Sequence, residues 1–327
     1  MFLTIDAVCK TFQGQRILDK VSFAVAEGEL VSIIGPSGAG KTTLLKIIAG
    51  LDVPDTGRIL SQADLLLNPA ILVFQDYVLF PTMTIFDNIV FGLKARKMAK
   101  SVAREKVMAM LAYFGLSDKA VQFPSQLSSG QQQRVALARA MVVGPSILLL
   151  DEPFANLDRN LKSDTAEFIR TFQKEYKITT ISVTHDLQEA FMMSDKIGIL
   201  LDGELCQYDD ASVVYHEPAS ARVAAFLGHV NTISSRYFPQ LSIAQPIVGK
   251  GNAVSVRAES LVLEKDPHGA GVIEDILFAG PHSVCRIRID DLLLTAYSFG
   301  SNLNINDRVR VGVKKIIQLK GDPLCDG

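Results

Sequence analysis

Two stretches of this chain carry residue types that can act on a phosphate. Gly35, Pro36, Ser37, Gly38, Ala39, Gly40, Lys41 and Thr42 run in the order G-x-x-x-x-G-K-[ST], with Thr43 continuing the same phosphate-binding turn. Glycines let backbone N–H groups close around phosphate oxygens, a helix opening there adds partial positive charge, and Lys41 adds a full one. The Thr42 hydroxyl can hold Mg²⁺. At ordinary residue usage this order arises by chance in about one chain in a hundred of this length. The second stretch is an apolar run, 147–150, that ends in Asp151 and Glu152. Asp151 is suited to hold the metal through its water shell, and Glu152, projecting differently from the strand end, to orient or deprotonate an attacking water. The two stretches together predict hydrolysis of a nucleoside triphosphate, ATP or GTP.

Those residues need strands that end where they begin. The runs 30–34, 71–74, 147–150 and 178–183 are short, rich in β-branched residues and bounded by turn formers, which predicts buried parallel strands. Helical spacing over 41–49, 101–114, 134–142 and 157–176 places helices between them, so the first two-thirds reads as an α/β unit. The alternation over 1–11 predicts an N-terminal strand rather than a signal peptide. Beyond Asn231 the texture changes. Cys285, Ile287 and Ile289 alternate with Arg286, Arg288 and Asp290, and Val309, Val311 and Val313 with Arg308 and Arg310, as antiparallel strands do. The boundary is expected near 228–231, giving domains 1–229 and 230–327, the second of a size for a small all-β barrel.

With 327 residues, 48% hydrophobic and 21% charged, the chain has enough apolar material for two folding units. A net charge of -2 removes the bulk electrostatic case for nucleic-acid binding or a polybasic membrane anchor. No apolar run reaches the roughly 18 residues of a membrane span. The four cysteines are far apart, which indicates neither a disulfide framework nor a zinc site.

Leu127, Ser128, Ser129, Gly130 and Gln131, lying between the two phosphate stretches, resemble the signature L-S-G-G-Q of the ABC ATPases, with Ser129 in place of a glycine. Ser128 with Gln131 is also a helix capping box, and both readings can hold at one helix N-terminus. Other positions are similar to the family in order. Gln75 resembles the glutamine that senses Mg²⁺ and the attacking water and links to a helical subdomain, expected here at about 76–139. Ala155, Asn156, Leu157 and Asp158 resemble the loop whose Asp158 meets an opposing subunit. His185 resembles the switch histidine at the γ-phosphate, and Phe12 the aromatic that stacks on adenine. The segments 74–81, 87–92 and 226–228, with Arg257 and Glu259 flanking Ala258 in place of a proline, look like the importer ATPases for sugars, polyamines, sulfate, molybdate or ferric iron. The segment 60–70 is shorter than usual for that group.

The resemblance implies a P-loop α/β ATPase with a helical subdomain, followed by an OB-like β domain of the type called TOBE. It implies ATP and Mg²⁺ as cofactors, a head-to-tail homodimer, transmembrane permease subunits as partners and, indirectly, a substrate-binding protein. It places the chain in the cytoplasm at the inner face of the membrane, with Tyr77, Val78, Leu79 and Phe80 as an apolar surface for the permease. The rival readings are a soluble ABC ATPase with a nucleic-acid-binding β domain, and an exporter ATPase. Lack of aromatic interleaving around Arg308 and Arg310 weighs against nucleic acid, and the trailing β domain weighs against an exporter.

Overall fold

The computed structural model describes residues 1–63, 69–155, 157, 159–244, 253–300 and 302–317, the side chains of 159–161 excepted. Strand β1 (Leu3–Phe12) turns back through Gln13 and Gly14, both at positive φ, into β2 (Gln15–Val25), as a two-residue hairpin turn requires. Then follow β3 (Leu30–Ile34), α1 (Lys41–Ile48), β4 (Thr56–Ser61) and β5 (Ala70–Val73). Next come α2 (Ile85–Ala95), α3 (Lys100–Tyr113), α4 (Ser129–Met141), β6 (Ile147–Asp151), α5 (Arg159–Tyr176) and β7 (Thr179–Thr184). The first unit closes with α6 (Leu187–Met193), β8 (Lys196–Leu201) and β9 (Glu204–Asp210). Among the described residues β2-β1-β4 form an antiparallel sheet, and β5-β6-β7-β3-β8-β9 a six-stranded one that is parallel except for β9.

The parallel strands are buried on both faces, which is why they read as continuous apolar runs. Alternate residues serve different cores: Leu148 and Leu150 join the helices α2 to α5, whereas Ile147 and Leu149 join α1 and the β1–β2 hairpin. The helical layer begins at caps visible in the sequence. Thr84 accepts from the Asp87 amide at the start of α2, and Ser128 with Gln131 forms a reciprocal box at the start of α4. That box starts α4 at Ser129, earlier than periodicity from Arg134 predicts, because Ser129, Gly130, Gln131 and Gln132 in its first turn carry no apolar pattern. None of the helices among the described residues is long and apolar enough to cross a membrane.

By its internal contacts the chain divides into two compact units, Met1–Ala211 and Ser212–Gly327. The division lies before the change of texture at 228–231. Helices α7 (Ala211–His216) and α8 (Ala221–Phe226) precede β10 (Val230–Ser234), and the buried Arg257 holds them to the second unit. Its guanidinium donates to the carbonyls of Tyr215, at 3.0 Å, and Ala224, at 3.4 Å, and lies 4.2 Å from the Tyr215 ring centre. The rest of this unit is β11 (Ser242–Ile243), β12 (Ala253–Arg257), β13 (Leu261–Lys265), β14 (Gly271–Phe278), β15 (Ser283–Ile289), β16 (Leu292–Ser298) and β17 (Arg308–Val313). β10 pairs with β12, and the others make a mostly antiparallel curled sheet, an OB-like half-barrel. Cys285, Ile287, Ile289, Val309, Val311 and Val313 all point into its core, as their alternation with arginines dictates.

Helices α3 and α5 are joined by the rings of Tyr113, Phe114, Phe168, Phe172 and Tyr176, with neighbouring centroids as close as 4.5 Å between Phe172 and Tyr176. Phe114 is fully buried among them. Phe114→Ala should therefore destabilise the first unit by about 3–5 kcal/mol through lost transfer energy and a cavity. Denaturant unfolding of the full chain, followed by circular dichroism, checks this; a cost below about 1 kcal/mol would contradict it.

Candidate phosphate and hydrolysis site

The register of the parallel ladder places the site. Val73 pairs with Leu150, Asp151 with Val183, and Ile34 with Thr184. The segments that leave these strands therefore emerge together at one carboxyl edge: Gln75 after β5, Glu152 after β6, His185 after β7 and the Gly35 loop after β3. Open α/β sheets bind ligands at that edge.

The loop from Gly35 to Gly40 is shaped by close approach. A side chain on Gly35 would meet the Leu200 carbonyl at 2.1 Å, and Gly40, at φ +97°, would press one onto the Ile17 carbonyl at 2.6 Å. Gly40 caps α1 without a side-chain hydrogen bond, which leaves the first-turn amides available to an anion. Lys41 is buried, and its ammonium donates across the loop to the carbonyls of Gly35 at 2.8 Å and Pro36 at 3.0 Å. Burial pulls its pKa below the usual lysine value, while Glu152 and Asp151 act against that shift. Thr42 donates its hydroxyl to Asp151 Oδ1 at 2.9 Å. Asp151 is itself buried, which raises its pKa against the Thr42 hydrogen bond.

Glu152 sits between two groups. One carboxylate oxygen lies 3.8 Å from Lys41 Nζ and the other 2.8 Å from His185 Nδ1. Its backbone is in the left-handed region, φ 47°, held there by its amide donating to the Val183 carbonyl at 2.9 Å. Strain of this kind persists only where surrounding bonds fix it, and it often marks a functional turn. The twist aims the carboxylate across the sheet edge toward His185 while Asp151, one residue earlier, faces Thr42.

A cavity of about 540 Å³ at this edge is lined by Phe12, Ser37, Gly38, Gly40, Lys41, Thr42, Thr43, Gln75 and Glu152, all anticipated from the sequence. Phe12, at the end of β1, is 64% exposed, so its ring face is available for stacking. Lys10, Lys46 and Asp52 line the same cavity and were not anticipated. Lys10 donates to Asp52 Oδ1 and to the Val53 carbonyl, both at 2.7 Å, which pins the end of β1. Pro36 and Ala39 close the loop backbone, the Ala39 amide donating to the Pro36 carbonyl.

Ser128, Ser129, Gly130 and Gln131 do not line this cavity. Their helix reaches the site by another route, because the buried Gln133 donates to the Pro153 carbonyl at 2.7 Å, next to Glu152. Ser129 lies in ordinary helical backbone. Asn156 and Asp158 lie outside the described residues, as do residues 64–68 of the segment 60–70 expected to be short for the family. The apolar surface expected over Tyr77, Val78, Leu79 and Phe80 is corrected by the structure. Tyr77 is only 4% exposed and belongs to the core, Leu79 packs against that core, and Phe80 packs on Phe91 with the rings tilted; Val78 and Phe91 are the exposed members. Arg139 of α4, also missed, donates to the carbonyls of both Tyr77 and Val78 at 2.8 Å.

Residues 18–155 match the ABC transporter family profile. The Fe(3+) ions import ATP-binding protein of Photobacterium profundum is 36% identical, the match covering 94% of this chain and 93% of that protein. The sulfate/thiosulfate import ATP-binding protein of Thermosynechococcus vestitus is 38% identical, over 89% of this chain and 88% of that one. A solved dimeric bacterial ABC transporter cassette is 31% identical with a TM-score of 0.58, over 64% of this chain and 99% of its own. A further solved structure of that cassette is a post-hydrolysis state bound to ADP and Pi. The chain belongs to the ABC transporter family, among its import ATP-binding subunits.

Proposed function

We propose that this chain is the ATP-hydrolysing subunit of an ABC importer, and that two copies close around ATP to drive separate membrane-spanning permease subunits. The observation that supports the reading best is the convergence of Lys41, Thr42, Glu152 and Gln75 on one cavity, with Asp151 and His185 bonded to them. In this reading residues 1–229 act as the ATPase domain, with a helical subdomain near 76–139, and residues 230–327 as a TOBE-like β domain.

Each residue then has a task. Backbone amides from Gly38 to Thr43 and the Lys41 ammonium hold the β- and γ-phosphates, and Phe12 stacks on adenine. Glu152 accepts the proton of the attacking water while His185 holds the carboxylate at one oxygen and faces the γ-phosphate. Ser128 to Gln131 and Asp158 act on the nucleotide of the opposite copy; the absence of Ser128 to Gln131 from the cavity of their own chain agrees with this. The Thr42 hydroxyl and the Asp151 carboxylate are the hard oxygen donors Mg²⁺ prefers. The described residues hold no cluster of three acidic, His or Cys side chains, so a metal here would need phosphate oxygens, water and Gln75 to complete its shell. Mg²⁺ when bound supplies charge neutralisation between the β- and γ-phosphates.

Relatives of similar identity are named for ferric iron, sulfate or thiosulfate, molybdate or tungstate, and spermidine or putrescine import. A motor shared across such different cargoes is consistent with cargo selection by the permease and a substrate-binding protein. Val78 and Phe91 are the apolar contact for the permease, at the inner face of the membrane.

Lys41→Ala should lose ATP binding, since the buried cation at the phosphate loop and its bonds to the Gly35 and Pro36 carbonyls are both gone. Isothermal calorimetry reads this, and wild-type affinity would remove the loop from nucleotide binding. Glu152→Gln should bind MgATP with near-normal affinity and hydrolyse it about 10²–10⁴-fold more slowly. Undischarged ATP should then hold two copies together, seen as a dimer by light scattering with MgATP and a monomer without it; a variant that stays monomeric with ATP bound contradicts the shared site. Ser129→Gly should change the hydrolysis rate by less than about tenfold, because Ser129 carries no backbone strain for glycine to relieve.

A further inference from the structure

His185 is 59% exposed at its side chain, yet it meets Glu152 at a fixed 2.8 Å, so the backbone that carries it must be held from behind. The residues on either side of it are tied together. Thr184 Oγ1 accepts from the Asp186 amide at 3.0 Å, and Asp186 Oδ1 accepts from the amides of Gln188 at 2.9 Å and Glu189 at 3.2 Å, capping α6. Behind this turn lies Glu189, 6% exposed. One of its oxygens accepts from Thr184 Oγ1 at 2.8 Å and the other from Lys162 Nζ at 2.8 Å. Lys162 also approaches Asp186 Oδ2 at 3.5 Å.

A buried carboxylate is costly, and desolvation raises the pKa of Glu189 despite the two donors. An apolar residue would fill the space between α5 and α6 without that cost. What the carboxylate adds is direction: it commits the Thr184 hydroxyl hydrogen to itself, which leaves the Thr184 lone pair to the Asp186 amide and fixes the turn between them. Lys162 supplies the counter-charge from α5, the helix that begins at Arg159.

We propose that Glu189, anchored by Lys162 and acting through Thr184, is the positioning residue that fixes the backbone of His185 and thereby sets its contact with Glu152. The inference rests on the hydrolytic role of His185 proposed above. It makes Lys162 a link from the helix following Asp158 to the histidine.

The test is a cycle of steady-state MgATP hydrolysis on the full chain with Glu189→Gln, His185→Ala and the double variant. Glu189→Gln keeps the size of the side chain and removes its charge. It should lower kcat by about tenfold, leave the KM for ATP within about twofold, and cause no further loss in the His185→Ala background. Lys162→Met, at a half-buried site, removes the counter-charge and keeps the Glu189 carboxyl; it should follow the same pattern and serves if Glu189→Gln does not fold. An equal fold-loss in both backgrounds, or a rise in KM with kcat unchanged, overturns the positioning role. A His185→Ala chain that hydrolyses ATP at the wild-type rate instead removes His185 from the chemistry and so overturns the reading on which the inference stands.

Discussion

Parallel pairing among β5, β6, β7 and β3 is the constraint on which the site depends. A parallel ladder fixes where each strand stops relative to its neighbours, and here the pairs Val73 with Leu150, Asp151 with Val183, and Ile34 with Thr184 bring four strand ends level. A slip of one residue in β6 would turn Asp151 and Glu152 each to the face opposite its present one and separate the Asp151 carboxylate from Thr42. The buried apolar side chains on both faces of these strands enforce the register. Two hydrophobic cores, one beneath the helical layer and one beneath the β1–β2 hairpin, therefore do chemical as well as structural work.

Electrostatics then divides the labour among the groups at that edge. Lys41 is surrounded by carbonyl oxygens and two carboxylates, which offset part of the cost of burying its positive charge. Asp151 and Glu152, adjacent in sequence, avoid a direct clash of like charges because the left-handed turn at Glu152 sends them to different partners. Backbone strain here separates two acids that the chain must place one residue apart.

Sequence made the residues at the carboxyl edge legible because the spacing of most of them is dictated by backbone geometry: a phosphate loop must lie between a strand and a helix, and an acid pair must end a strand. Lys41, Asp151 and Glu152 were readable for that reason, and Gln75, Phe12 and His185 through family order. The supporting residues were not. Gln133, Arg139, Lys162 and Glu189 look like ordinary polar positions on amphipathic helices, and nothing in the spacing says that they turn inward to hold a carbonyl or a hydroxyl. Tyr77 misled in the other direction, since an apolar run beside a loop reads as a surface until its packing is seen. The early start of α4 was half legible, its capping box being visible but overruled by periodicity.

The guanidinium of Arg139 spans the carbonyls of Tyr77 and Val78, two consecutive residues in left-handed backbone, and its face lies 5.4 Å from the Phe80 ring centre. Two such residues in a row leave little slack, and a planar fork across their carbonyls removes what remains. The joint behaves as a rivet between the loop after β5 and the helix that Ser128 caps. Displacement of the exposed Val78 would therefore be carried into α4 rather than dissipated as bending of the loop, and the helix would extend it over the ten residues from Arg139 back to Ser129.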